Sequence, residues 1–258
     1  MSAALLAAVA IAAQTAEATA APPASTSELN SMAKAVRAFV PEDEFDSPPA
    51  QSSLSGRQFA IEVQPWGTTP PRMACFGYPM WSYSRESGTL YVSTGGSELM
   101  LNSFLTSQGI VTKKAAPDIW PEEIHYFASD CARQDLPSYT ATNGYGAKFR
   151  IDPTSQTVTA IADNPPAGSP LIESFQMNLD GAEARALVPN LRVRFHGVLS
   201  DWKPGVSVAC GRRHDGPTAS SPYDRTMKLC LFNGHIDRID LVDARTGEVL
   251  QTAVRETK

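Results

Sequence analysis

The chain contains no C-x-x-C pair, no H-E-x-x-H, no EF-hand loop, no G-x-S-x-G elbow and no G-x-x-x-x-G-K-[ST] loop. These absences exclude the sequence-local forms of zinc, calcium, α/β-hydrolase and P-loop chemistry, each of which depends on fixed residue types at a fixed spacing. No cysteine precedes Cys75, so no lipid-modified cysteine follows a signal sequence. Basic residues are never concentrated: 22 Lys and Arg stand against 27 Asp and Glu, for a net charge of −5. Residues 1–130 carry 7 basic and 13 acidic side chains, and residues 131–258 carry 15 and 14. A nucleic-acid partner is not expected, because its phosphates call for a clustered excess of Lys and Arg. Nor does any apolar run reach the roughly 20 residues that a membrane-spanning helix needs.

What is present suits a packed, turn-rich protein. Hydrophobic residues make up 42 % of the chain, enough for a core, and 20 prolines with 17 glycines favour many turns over long helices. The first residues, "MSAALLAAVAIAAQTAEATA", hold an apolar stretch from Ala3 to Ala13 and then small residues with A-x-A cuts after Ala18 or Ala20. That is the order of an export signal, expected over residues 1–20. It departs from the usual form in having no Lys or Arg before Lys34, which an upstream start or an atypical signal would explain.

Cys75, Cys131, Cys210 and Cys230 allow three pairings. Cys210 ends one expected strand and Cys230 lies in the next, so a hairpin brings them together and leaves Cys75 for Cys131. Two disulfides fit an oxidising compartment, periplasmic or extracellular.

Residues 21–56 read as a tether. "STSE" from Ser25 is a capping box, and Leu29, Met32, Val36 and Phe39 form one apolar stripe behind it, until Pro41 stops the helix. "PEDEFDSPPAQSSLSG" reads as an acidic linker. From Arg57 the hydrophobic period changes to two. "QFAIEV", "MACFGY", "TLYVST", "AKFRI" and "TVTAIA" are expected strands, and "SELMLNSFL" leans the same way. "PEEIHYFASDCA" is expected to open as a short helix on Pro121, Glu122 and Glu123. "DGAEARALVP" reads as a two-turn helix with Asp180 at its N-cap. Strands follow in "LRVRFHGVL", "VSVACG", "MKLCLF", "HIDRIDLV" and "EVLQTAV", with a tight turn at "DARTG" and strand-interrupting glycines at Gly197 and Gly234. The expected fold is mainly β, with short helices and two small barrel- or sandwich-like β modules, residues 57–179 and 180–258. An OB-like barrel is one option for the second.

Four constellations bear on chemistry. The polar stretch from Cys210 to Cys230 reads as a long loop clamped at its base by the disulfide. A catalytic reading makes His214 a general base, Asp215 or Asp224 its orienter and Ser220 or Ser221 the nucleophile. A flexible loop without an oxyanion hole supplies neither the rigidity nor the charge stabilisation such a triad needs. A binding loop carrying Arg212, Arg213 and His214 suits the sequence better. The aromatic cluster "CFGYPMWSYS" puts Phe76, Tyr78, Trp81 and Tyr83 close together, and Tyr78, Trp81 and Tyr83 are candidates for a ligand-facing patch. "SMAK", Ser31 to Lys34, matches S-x-x-K without its companion motifs and reads as the wet side of the tether helix. His235 and Asp237 alternate on an expected strand, with Asp240 and Asp243 further along, which could bring a His and a carboxylate to one ion; a solvated strand face is the expected reading, and no metal or cofactor is expected.

The expectation is an exported, non-catalytic binding protein of the cell envelope, its partner a small molecule, a glycan or an envelope protein. The alternative is a secreted or periplasmic hydrolase using His214.

Overall fold

The computed structural model describes residues 22–38, 51–67, 75, 77–100, 123–164, 171, 174–217 and 224–255. Residues 1–20, Phe39, Pro41 and Phe76 lie outside them, as do Ser220 and Ser221. Strands are numbered along the chain. An eight-stranded sheet holds β1 (Gln58–Val63), β5 (Ser97–Met100), β6 (Glu123–Asp135), β9 (Thr154–Asp163), β11 (Leu191–Ser200), β12 (Val208–Asp215), β13 (Arg225–Asp243) and β14 (Glu248–Val254). A four-stranded sheet runs β10 (Ser174–Asn178), β4 (Thr89–Ser93), β3 (Met80–Ser84), β2 (Trp66–Gly67). β7 (Tyr139–Thr142) and β8 (Lys148–Ile151) form a separate hairpin. Among the described residues the α-helices are α1 (Thr26–Ala38) and α2 (Gly181–Leu187), the latter continued by a 3-10 turn at Val188–Asn190, in a mainly β protein.

β13 organises the large sheet. Its first half lies between β12, antiparallel, and β9, parallel, while its second half lies between β11 and β14. The change of neighbours falls where the β11–β13 register shifts, between His196 and Gly197. Both glycines singled out in the sequence sit at this crossing. A Cβ on Gly197 would lie 1.9 Å from the His235 carbonyl oxygen, and one on Gly234 would lie 2.8 Å from that of Val198. Only glycine lets the two backbones approach so closely. The pairing also crosses residue 180, where the sequence pattern separates two β stretches: β1, β6 and β9 share this sheet with β11 to β14.

Both faces of the sheet are apolar, and they feed two cores. Phe59, Ile61 and Val63 of β1, Phe127 of β6, Ile161 of β9 and Phe232 of β13 belong to the larger. Ile124, Tyr126 and Ala128 of β6 join Val158, Ala160 and Leu229 in the smaller, with the Trp202 indole donating to the Leu231 carbonyl at 2.8 Å. This explains why residues 123–135 form a strand and not the helix expected to open at Pro121. Neighbours Tyr126 and Phe127 enter opposite cores, and that burial outweighs the local preference of Glu122 and Glu123 for a helix start. "MACFGY" departs from expectation as well: Gly77 adopts φ 73°, and the described residues around it form a turn.

The described parts of the segment expected as a tether, residues 22–38 and 51–56, are docked, while residues 41–50 of the expected acidic linker lie outside the described residues. Leu29 and Ala33 of α1 are fully buried in the larger core. The Glu28 amide donates to Ser25 Oγ at 3.3 Å, which is half of a capping box. The Glu28 carboxylate instead grips the Arg57 guanidinium in a two-pronged ion pair. Ala24 bridges to Phe59 of β1. Gln51 caps the start of β12, accepting from the Ser207 and Val208 amides at 2.8 Å each and donating to the Val208 carbonyl at 3.2 Å. Asp201 holds the same corner. Burial opposes its charge, but hydrogen bonds from Ser53, Ser207 and the Leu54 amide outweigh this and hold its carboxyl below the usual range.

Cys75 is bonded to Cys131 and Cys210 to Cys230. Cys210 and Cys230 face each other across the β12–β13 ladder. Among the described residues, no helix is long and apolar enough to cross a membrane.

Candidate functional site

An open groove of about 850 Å³ lies between β3 and α2. One wall is Trp81, Ser82 and Tyr83 of β3, with Arg85 in the turn that follows. The other is Gly181, Ala184 and Arg185 of α2, with Val188 and Pro189 beyond. Trp81 and Tyr83 sit two apart on a strand and so share a face. Part of each ring packs on the larger core, and the remainder lines the groove.

Local chemistry fixes this geometry. The Tyr83 hydroxyl donates to the Leu179 carbonyl at 3.0 Å, tying β3 to the residue after β10, and the Leu179 amide donates to the Gly88 carbonyl at 2.9 Å. The next residue, Asp180, starts α2 with a full capping box. Its carboxylate accepts from the Ala182 and Glu183 amides at 2.7 and 2.8 Å, while the Glu183 carboxylate accepts from the Asp180 amide at 2.9 Å. Those amide hydrogen bonds hold the Asp180 carboxyl below its ordinary range. Tyr83 and Asp180 together set where α2 begins, and hence how wide the groove opens. Arg85 and Arg185 are exposed and make no ion pair among the described residues.

The expected aromatic patch divides. Tyr78 does not join Trp81 and Tyr83 in the groove but packs on Trp66, with ring centroids 4.6 Å apart. Burial, then the nearby Asp130 charge, push the Tyr78 hydroxyl above its ordinary range.

The stretch around His214 is ordered differently from the expected loop. Residues 211–215 continue β12, with Arg212 opposite Lys228, Arg213 opposite Met227, His214 opposite Thr226 and Asp215 opposite Arg225. Cross-strand pairing with the apolar-alternating start of β13 extends the ladder past the disulfide as far as Asp215. His214 is exposed. Its Nδ1 lies 3.2 Å from Thr226 Oγ1 and 3.5 Å from Asp224 Oδ1. The other Asp224 oxygen accepts a 2.9 Å hydrogen bond from the Tyr139 hydroxyl of β7. Accepting that bond favours the protonated phenol and raises the Tyr139 hydroxyl's pKa. The structure thus brings His214, Asp224, Thr226 and Tyr139 together. Tyr139 carried no signal in the sequence, because its hairpin packs here only through tertiary structure.

The remaining candidates are accounted for locally. Asp240 is buried beneath His196 Nε2 at 2.9 Å and the Thr252 hydroxyl at 2.8 Å, while His235 Nε2 lies 3.3 Å from Asp237. Burial first, then the Arg238 charge, lower the pKa of His196 against the opposing pull of Asp240. Among the described residues no cluster of three or more His, Cys, Asp or Glu is placed to hold a metal. Ser31 donates to the Ser27 carbonyl within α1.

Sequence reasoning missed Arg85, Arg185 and the apolar floor of the groove. Arg185 stood in plain view on the "DGAEARALVP" helix, but nothing in the sequence says which strand that helix covers. Comparison with protein-family models, curated proteins and solved structures finds no match to this chain.

Proposed function

We propose that this is an exported, non-catalytic binding protein of the cell envelope, and that the groove between β3 and α2 holds its ligand. The observation that carries this reading is the groove itself, about 850 Å³ with two aromatic rings and two guanidinium groups along its walls. Its size falls within the range of small-molecule and oligomer sites, and its mixture of apolar area with a few polar anchors is what such sites need. Two disulfides suit an oxidising compartment, which supports export.

A second reading, a hydrolase with His214 as base, gains support from the Asp224 carboxylate and its Tyr139 partner. The hydroxyl beside the ring is that of Thr226, one pair from the end of the β12–β13 ladder, and not that of Ser220 or Ser221, which lie outside the described residues.

The test is a thermal-shift and calorimetric screen of the full chain against neutral and acidic oligosaccharides, small aromatic acids and envelope peptides. Gly181→Trp serves as the blocked control, since Gly181 lines the groove and a Cβ there would stand 3.7 Å from the Arg185 guanidinium and 3.9 Å from the Tyr83 hydroxyl, between the two walls. A compound that stabilises the natural chain and not the Gly181→Trp variant supports the reading. No stabilising compound, or equal shifts in both proteins, refutes it. Ester or amide hydrolysis abolished by His214→Ala would instead establish the second reading.

A further inference from the structure

We infer that the groove takes an acidic saccharide, its sugar rings against Trp81 and Tyr83 and its carboxylates on Arg85 and Arg185. This rests on the groove being the binding site, and adds the class of ligand.

The first argument is charge. Elsewhere in the protein Arg57, Arg133, Arg194, Arg245 and Arg255 each lie against a carboxylate. Arg85 and Arg185 have no such partner among the described residues, and no carboxylate is among the described residues lining the groove. Asp180 and Glu183 each give one carboxylate oxygen to the α2 capping box, and the Asp180 charge acts on Arg185 through space without forming an ion pair. Two arginines lining one groove supply forks that suit carboxylates.

The second argument is the aromatic wall. The Tyr83 ring is held through its hydroxyl on Leu179, and the Trp81 indole lies so close to Gly67 that a Cβ there would stand 3.0 Å from the ring. Rings fixed in this way offer flat apolar area at little entropic cost on binding. Pyranose rings present matching faces of C–H groups. An acidic peptide brings carboxylates without such faces, and a neutral sugar leaves both arginines unanswered. A polyphosphate backbone brings dense negative charge to a chain whose own net charge is −5.

The probe is a short oligogalacturonate, compared by isothermal titration on the full chain with the same oligomer fully methyl-esterified, which keeps the rings and removes the charge. The acid form is expected to bind at least tenfold more tightly than the ester, with affinity falling as salt rises. Arg85→Gln and Arg185→Gln should each weaken the acid form about tenfold, the effect of losing one charge-assisted contact, and leave the ester unchanged. Equal binding of acid and ester overturns the inference while leaving the groove as a site. Binding of the acid form that neither arginine variant nor Gly181→Trp disturbs places the site elsewhere and overturns both readings. Binding of neither form, or tighter binding of a uridine oligonucleotide or an acidic peptide, also overturns it.

Discussion

Gly197→Ala tests the crossing at which β13 changes partners. The new Cβ would stand 1.9 Å from the His235 carbonyl oxygen and 2.8 Å from the Phe59 ring. An ordinary contact begins near 3.4 Å, so β11 and β13 must part by roughly 1.5 Å at a point where Gly197 is buried and His235 half-buried. Parting the strands weakens the ladder bonds beside the bulge at about 1 kcal/mol each. Displacing Phe59 from a filled core adds about 1–3 kcal/mol. The combined loss is about 4 kcal/mol, a large share of the roughly 5–15 kcal/mol that holds a domain folded. Gly247→Ala is the control, because Gly247 has φ 77° but open space around it, so it costs only about 1–2 kcal/mol of backbone strain. Urea denaturation of the disulfide-intact protein, followed by tryptophan fluorescence, reads both. Equal midpoints for the two variants would refute the claim that close backbone approach, and not turn geometry, is what Gly197 provides.

Removing Cys210 and Cys230 together as alanines should cost about 3 kcal/mol by releasing the loop their bridge closes, seen as a lower urea midpoint; an unchanged midpoint would show that the β12–β13 ladder alone fixes the hairpin. His196 has a folded pKa below its unfolded value of about 6.5, so the unfolded chain takes up the proton first and stability falls as pH drops from about 7 through the folded pKa. His196→Gln should flatten that part of the stability profile, and parallel profiles for variant and natural chain between pH 7 and 5 would contradict it. Tyr83→Phe leaves the Leu179 carbonyl without its donor, at about 1 kcal/mol; faster amide hydrogen exchange at Ala184 and Arg185 is expected, and unchanged protection would show that α2 is positioned without Tyr83.

Features governed by neighbours in sequence were legible. β1 occupies the expected "QFAIEV" with Phe59, Ile61 and Val63 inward, α2 begins at Asp180 with its capping box, and the turn before β14 uses Gly247 as expected. Both disulfides were also reached by asking which cysteines a hairpin brings together. What failed depended on distant partners. "GRRHD" has the composition of a loop and becomes a strand because β13 offers a ladder to pair with. Residues 123–135 look helical at their start, yet two cores compete for their alternate side chains. The amphipathic helix was visible, but not that Leu29 and Ala33 would be buried on the sheet. In the groove, Trp81 and Tyr83 were found as aromatics, while Arg85 and Arg185 needed the sheet to bring them opposite.

The place of β13 in the chain governs when folding can happen. β1 pairs with β11, and β9 with the first half of β13, so early strands wait for partners made more than 60 residues later. A chain emerging head first, from a ribosome or through a membrane pore, reaches residue 224 with β6 and β9 paired to each other but the far edge of β9 bare. α1 emerges early and docks late, because the surface it covers includes β12 and the Cys210–Cys230 bridge, with both sulfurs near the Ala33 carbonyl. Until β13 arrives, the growing chain is an open edge with apolar faces, a form that invites chaperones, proteases and other chains. A truncation before β13 would therefore be degraded or aggregate as a whole, with no smaller folded product left behind.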